Sequence, residues 1–539
     1  MLCLSWNHLK AREEWDAAGI AVPQFGRETL EAMYARTKRV HFGAGNIFRG
    51  YIAELQQRLM NDGLDDTGII AAEAYDFEII DKMYKPYDNL CLRTVMLADD
   101  QFVNTVVGSV SEGLVADPSR PDDWNRLKIV FRNPSLQLIS FTITEKGYDL
   151  KGFDGGVSKA VTGDIKNGPG EPVTMIAKIV SLLYERFLAG GLPLAVVSMD
   201  NCSRNGERLK NAVMEIARGY LARSHVEAAF IDYLSDPKTI SFPWSMIDKI
   251  TPRPSPKVGR WLRSIPFADT EVIETAKHTF IAPFVNTEAP QYLVIEDDFP
   301  NGRPCLEAAG VYFTNRDTVE KCERMKVCTC LNPLHTALAI FGCLRGYTLI
   351  ADEMKDPALR RLVEELGYTE GMPVVTDPGI LKPRDFLREV IEERLPNPNI
   401  PDTPQRIVSD TSQKLAIRFG ETIRQYRDRG LGIDHLKFIP LVLAGWLRYL
   451  MGVDDDGNEM PLSPDPLLEI LRPYFAGKTL GNAPTENLGP ILKNETIFGV
   501  DLYADGLGGL VEQYFRELSA GAGAVKATLD QYVLGEVRI

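Results

Sequence analysis

The chain has 539 residues, 45% hydrophobic and 25% charged, with 60 Lys plus Arg against 74 Asp plus Glu for a formal net charge of −14. This mix excludes a disordered chain, a collagen and a small disulfide scaffold, and the length leaves room for about two to four domains. The acid excess argues against nonspecific binding to nucleic acid or to an anionic membrane.

Residues 1–38 interleave charged and apolar positions and read as a helical lead-in. The opening MLCLSWNHLKAREEW lacks the basic start and long apolar run of a secretory signal, so a cytoplasmic location is expected. Arg39–Phe42 reads as a short strand that runs into Gly43-Ala44-Gly45-Asn46-Ile47-Phe48-Arg49-Gly50. Tyr51–Met60 has helical spacing, with Ile52, Leu55, Leu59 and Met60 on one side. Further strands are expected at Gly68–Ala72, ending at Glu73, at Leu138–Ile143 and at Leu194–Ser198, the last preceded by a helix over Thr174–Leu188. The stretch 151–173, with its Gly, Lys and Asp, reads as an exposed loop. Strands alternating with helices imply a mainly parallel sheet.

From about residue 312 helical patterns dominate, at Leu359–Leu366, Asp410–Arg429, Leu436–Tyr449 and Leu507–Leu518, with breaks at 395–404 and 452–466. Phe438–Leu447, the most apolar stretch, contains Pro440 and is too short to span a bilayer.

A strand, a Gly-x-Gly turn and a helix form the arrangement that binds a dinucleotide. The first Gly permits the turn, the second lets the backbone approach the pyrophosphate, and the helix start offers free N–H groups. The third Gly of the usual pattern is replaced here by Phe48. An acid at the end of the second strand would hold the ribose hydroxyls and favour NAD over NADP. Glu73 takes that role, with Asp76 as the fallback. The bland alternative is a tight turn only. The expected architecture is thus an α/β Rossmann-type domain over 1–311, with 1–38 as an extension, and a mainly α-helical domain over 312–539.

The segment Glu323-Arg-Met-Lys326-Val-Cys-Thr-Cys-Leu-Asn332-Pro-Leu-His335 gathers polar groups before an apolar helix. Pro333 suits a first helical position, with Asn332 as N-cap, which would set Asn332 and His335 at the positive end of a helix where alkoxide charge is stabilised. Lys326, desolvated among apolar neighbours, would serve as a general base. Against this stand a capping Asn, a solvated Lys and a structural His. Cys322, Cys328 and Cys330 beside His335 invite a zinc reading, but Cys328-x-Cys330 is tighter than the usual zinc spacing, and buried reduced thiols are the preferred account.

Five segments in order resemble the mannitol dehydrogenase family of long-chain polyol and hexuronate dehydrogenases, from about residue 38 to the C-terminus. Gly43–Gly50 resembles the family's cofactor turn, with Ile47 in place of Phe and Phe48 in place of His. Thr142-Ile-Thr144-Glu145-Lys-Gly147-Tyr148 resembles a segment near the cofactor. Ser198-Met-Asp200-Asn201-Cys-Ser-Arg-Asn205-Gly206 resembles the family's Asp-Asn…Asn-Gly segment. Phe242–Pro252 resembles the signature around Val-Asp-Arg-Ile-x-Pro, and Arg406–Lys414 the substrate-side segment.

The resemblance implies a metal-independent hydride transfer with NAD (NADH) as cofactor, held by Gly43, Gly45, Asn46, Ile47, Arg49, Glu73, Thr144 and Glu145. It makes Lys326 the catalytic acid/base, Asn332 and Asn201 the oxyanion site and His335 a substrate-orienting group. Glu323 becomes a proton relay, and Asp248, Arg406 and Lys414 line the substrate side. The family places four residues between the Lys and the Asn, whereas Val327–Leu331 makes five, an excess that a one-residue helical bulge would absorb. The implied partner is a small sugar acid or polyol, most like fructuronate going to mannonate. Tagaturonate reduction and mannitol or arabinitol 2-dehydrogenation are the alternatives, and a non-catalytic dinucleotide-binding protein is the reading of a different class. The oligomeric state is left open.

Overall fold

The structure is a computed structural model that describes residues 1–99, 101–152 and 155–535. They fall into two compact units, Met1–Leu97 with Gln101–Glu320, and Lys321–Ile539 with Ala98–Asp100.

The first unit is built on a parallel sheet of β1 (Arg39–Phe42), β2 (Ile69–Glu73), β3 (Val110–Val115), β4 (Leu138–Phe141), β5 (Leu194–Ser198) and β6 (Ile240–Ser241), in spatial order 3-2-1-4-5-6. Every neighbouring pair is parallel. Val40, Phe42, Ile70, Ile139 and Val196 enter the core on one face, and Ile69, Ala71, Leu138, Ala195 and Val197 on the other. Burial on both faces is why these strands read as continuous apolar runs rather than as alternation. The order reverses between β1 and β4, and the crevice beyond their carboxyl ends is where such sheets bind ligand. In β1, His41 is fully buried between Ser140 Oγ and Thr142 Oγ1, each at 2.8 Å, and stacks on Phe48 at 4.5 Å between ring centres. Burial pushes its pKa well below 6.5, so it is a neutral clamp. That stack accounts for Phe48 at the position where the family pattern carries His.

Residues 1–38 are not one helix. Short helices Arg12–Ala17 and Arg27–Ala32 flank the strand Ile20–Ala21. That strand adds in parallel to Phe102–Val107 at the edge of a second sheet, which continues through Cys91–Met96 to Phe284–Glu288. Trp15 has no exposed surface, and Leu2 bridges to Phe267. The stretch 151–173 is not all loop either, although residues 153 and 154 lie outside the described residues. Lys159–Asn167 is a helix, capped by Ser158 Oγ accepting from the Val161 N–H, and Val161 packs into the core. Its two apolar anchors, Val161 and Ile165, are too little periodicity for the pattern to register.

In the second unit, strand pairing among the described residues is limited to isolated bridges, Val453 with Glu459 and Thr479 with Asn482. The centre is helical. α1 (Arg316–Met325) runs through the π-helical turn Lys326–Cys330 into α2 (Asn332–Leu344), and α3 (Phe438–Tyr449) is almost wholly buried. The run Arg316–Leu344 is long and apolar enough to cross a membrane by length and composition, but 83% of its apolar window is buried inside the structure, the mark of a core helix. Glu370 anchors the start of α3 by accepting from the N–H groups of Lys437, Phe438 and Ile439.

Candidate active site

The glycine turn lies in the first unit. Gly43 has φ +101°, and a side chain there would meet the Thr142 carbonyl oxygen at 2.2 Å, so only glycine fits. A side chain added at Gly45 would meet nothing within 4 Å, which leaves open space over the turn. The helix begins at Asn46, and its first-turn N–H groups face out of the helix. A cradle with a bare backbone and a helix start fits a pyrophosphate.

Glu73, at the end of β2, is buried. Oε2 accepts from the Ala44 N–H at 2.9 Å, and Oε1 from Tyr75 and Asp76 at 2.9 and 3.2 Å. Of the about four lone-pair sites of a carboxylate, three are occupied, so Glu73 first of all ties the glycine turn to the sheet. Burial raises its pKa while these three bonds oppose the shift. Asn46 donates from Nδ2 to the Pro252 carbonyl and accepts from Arg49 Nη2 at 3.0 Å. Arg49 is fully buried and also donates to the Ala282 carbonyl at 2.8 Å. It therefore acts through Asn46 and does not face the turn. Ile47 is half-buried.

Beyond β4, Thr144 sits in the left-handed region at φ 65°. Asp200 holds it there by accepting from the Ile143 and Thr144 N–H groups at 3.0 and 2.8 Å and from the Tyr148 hydroxyl. Asp200 is a residue whose role the sequence left unassigned. Glu145 is exposed and pairs with Arg208. Asn201 is exposed, and its neighbour Asn205 is buried and staples the loop to Ser245 with bonds of 2.9 and 3.0 Å from Nδ2. Asp248 is buried at the end of the strand Ser245–Asp248. Of the seven non-glycine residues at positive φ among the described residues, Thr144, Arg204 and Asp410 fall in the family-like segments. Backbone strain collects in that way at functional loops.

The polar cluster lies in the second unit. Lys326 is only 2% exposed and opens the π-turn, where the Leu331 N–H reaches back to the Lys326 carbonyl at 3.1 Å. The extra residue between Lys326 and Asn332 is thus absorbed as one wide turn. The expected cap is not there. The helix bends at Leu331, whose φ is −131°, and restarts at Asn332, so Leu331 rather than Asn332 holds the cap position, without a side-chain cap bond, and the His335 N–H bonds the Leu331 carbonyl at 3.1 Å. The π-turn is the one-residue bulge expected from the spacing, and the expected cap falls one residue late because Pro333 fits the first helical positions equally well from either start. Glu323 is half-buried one turn before Lys326.

His335 Nε2 lies 3.4 Å from Asp402 Oδ2, and Asp402 also pairs with Arg406. These two partners outweigh burial and hold the Asp402 carboxyl below its ordinary pKa. The arrangement leaves Nδ1 of His335 for a ligand. Thr336 Oγ1 donates to the Asn332 carbonyl at 2.8 Å and accepts from Arg418 Nη1. Lys414 donates from Nζ to the carbonyls of Ile407, at 3.3 Å, and Ser409 at 2.5 Å. Its pKa is lowered by burial and by Arg418. The structure therefore joins His335, Asp402 and Arg406 in one network, and Asn332, Thr336 and Arg418 in another. Asp402 and Arg418 are the members the sequence did not flag.

Sheet order and turn define a Rossmann-type dinucleotide-binding domain. The chain matches the mannitol dehydrogenase Rossmann domain over residues 37–308 and the mannitol dehydrogenase C-terminal domain over 318–519, and it belongs to the mannitol dehydrogenase family of oxidoreductases. It is 54% identical over 536 residues to the D-mannonate oxidoreductase of Thermotoga maritima, covering 98% of this chain and 99% of that one. It is 29% identical to the D-mannonate oxidoreductase of Escherichia coli, over 83% and 86% of the two chains. Among solved structures it is similar to Pseudomonas fluorescens mannitol 2-dehydrogenase in its complex with NAD and D-mannitol, with a TM-score of 0.68, 25% identity and 96% and 97% coverage. It also shares the fold of a D-sorbitol dehydrogenase, with a TM-score of 0.77 at 23% identity and 96% and 98% coverage.

Proposed function

We propose that this protein interconverts D-fructuronate and D-mannonate with NAD. The observation that carries this reading is the 54% identity to a D-mannonate oxidoreductase along nearly the whole of both chains. Bound NAD supplies the hydride acceptor and donor. Gly43, Gly45 and the helix start at Asn46 would hold its pyrophosphate, Glu73 would offer its one remaining lone-pair site to the ribose, and the resemblance adds Ile47, Arg49, Thr144 and Glu145 to the cofactor side.

In the oxidation direction Lys326, neutral, takes the proton from the substrate hydroxyl, and in the reduction direction its ammonium returns that proton to the ketone oxygen. The family resemblance assigns Asn332 and Asn201 to that oxygen as charge develops on it. His335, oriented by Asp402, binds a neighbouring hydroxyl. Glu323 passes the Lys326 proton to solvent. Asp248, Arg406 and Lys414 belong to the substrate side. The chemistry runs without metal, because Lys326 and the two amides supply the electrophilic help. Among the described residues, Cys322, Cys328, Cys330 and His335 do not come together as a group of three that could hold a metal ion.

The test is the change in NADH absorbance with D-fructuronate, D-tagaturonate, D-fructose and, in reverse, D-mannonate and D-mannitol. D-fructuronate is expected to be the preferred ketone. Preference for another sugar overturns the substrate, and NAD binding without turnover of any of them overturns the reading as an enzyme. Lys326→Met is expected to lower kcat by about a hundred- to ten-thousand-fold, the range of a lost acid/base group, while NAD affinity stays within about two-fold.

A further inference from the structure

Two fully buried guanidiniums are satisfied by backbone carbonyls. Arg186 donates to the carbonyl oxygens of Phe131, Asn133, Leu136, Leu192 and Pro193. Arg448 donates to those of Leu518, Val453 and Asp454.

Arg418 is different. It lies in the π-turn Ala416–Gly420, is half-buried, and uses one of its five N–H groups, from Nη1 to Thr336 Oγ1. Among the described residues, no carboxylate and no carbonyl pairs with its guanidinium. Burial alone draws its pKa down to about 10, with no acid acting to restore it. It in turn acts on a like charge, Lys414, one turn earlier. The acids that act on Lys414 are Asp410 and Asp465. Asp465 is occupied by the N–H and the hydroxyl of Ser412. Two neighbouring cations, one of them with donors unspent in a half-buried position, suit an anion. Arg406 cannot fill the same role, because Asp402 already neutralises it.

The position of Arg418 says which anion. Its partner Thr336 follows His335 in the chain, and the same hydroxyl holds the Asn332 carbonyl at 2.8 Å. Arg418 is therefore one hydrogen bond away from the helix turn that carries both polar candidates. We propose that Arg418, positioned by Thr336, is the residue that binds the carboxylate of a sugar-acid substrate and so separates acid from polyol. This rests on the reading of function given above. A planar fork facing a carboxylate gives two parallel charge-assisted bonds, which a neutral hydroxymethyl group cannot match.

The experiment is D-mannonate binding to the full chain in the presence of NAD, by calorimetry, for the unaltered protein, Arg418→Gln and Arg418→Lys. Arg418→Gln is expected to weaken D-mannonate ten- to hundred-fold while NAD affinity holds. Arg418→Lys, which keeps the charge without the fork, is expected to lose about five-fold or more. Unchanged D-mannonate affinity in either folded variant overturns the proposal, and the Lys variant carries the test if the Gln variant does not fold. An unaltered protein that binds D-mannonate through Arg418 without oxidising it overturns the function and leaves this anion site standing. Oxidation of D-mannonate that is indifferent to Arg418 overturns this site alone. An unaltered protein that neither binds nor oxidises D-mannonate overturns both.

Discussion

Asp402 links two side chains that sequence reasoning put forward separately. One oxygen faces His335 and the other Arg406, so a single carboxylate sets the ring orientation of one and the reach of the other. Asp402→Asn keeps the shape and removes the charge. Losing charge-assisted bonds to both partners is expected to raise KM for the sugar acid about ten- to hundred-fold with a smaller change in kcat. His335→Gln added to it is expected to cost much less than His335→Gln alone, because the two act as a unit. Additive losses in that double-mutant cycle would show that Asp402 serves only the fold. At this scale the sequence revealed residue types and hid their partners. Glu73 was legible as an acid after a strand, but not as a carboxylate already carrying three N–H bonds. Asp402 is 67 positions from His335, and Arg418 is 82 from Thr336, separations that no local pattern can join.

Elements carry the alignment of these groups. The π-turn adds one residue to the rod without turning α2 away from Lys326. Deleting Val327 is expected to restore a regular helix and keep kcat within about ten-fold. Inserting one Ala after Val327 turns Lys326 by about 100° relative to Asn332 and is expected to abolish turnover with the fold intact by circular dichroism. Equal activity in both variants would sink the alignment argument. A second element effect lies under α2. Gly342 lacks a side chain where Glu353 packs, and both oxygens of Glu353 are buried without a hydrogen-bond partner. Burial, reinforced by Asp356, raises this carboxyl well above 4.5. The folded state then binds a proton that the unfolded state releases, so stability from this group is fullest below its ordinary pKa and falls as pH rises from there toward the raised value. Glu353→Met is expected to stabilise the protein by about 1–3 kcal/mol near neutral pH and by less at acid pH, read from Tm against pH. A Tm gain that does not grow with pH would refute the buried-acid account. Of the elements, β2, β4, β5 and the helices at 175–188 and 438–449 were legible from their apolar residues, β1 from the glycine turn it runs into, and the bulge after Lys326 from the family spacing. The helix at 159–167 and the lead-in strand were not, because tertiary contacts rather than periodicity select them.

For the whole molecule, the acid excess of −14 frames a second unit in which Lys414 and Arg418 place two cations one turn apart, at the proposed substrate side. Such a contrast concentrates an anionic sugar where the net charge alone would repel it. The thiols report on the integrity of both units. Cys91, Cys322, Cys328, Cys330 and Cys343 are buried, and Cys3, Cys202 and Cys305 are partly accessible. Titration with a thiol reagent is expected to find at most three reactive groups in the native protein and eight after denaturation. A fourth fast thiol in the native state would mean that a buried segment opens.

The strap formed by the first residues has a consequence for the order in which the protein is made. Leu2 meets Phe267, and Ile20–Ala21 pairs with residues 104–105. On a ribosome the strap emerges before its last docking site, which is translated some 265 residues later, a wait on the order of tens of seconds. Trp15, which packs on Phe267, remains without its final surroundings throughout that interval. The nascent chain therefore carries an apolar segment that must be kept from other chains until Phe267 arrives to cover it. Slowing elongation between codons 30 and 260 should lower soluble yield more than the same slowing beyond codon 300.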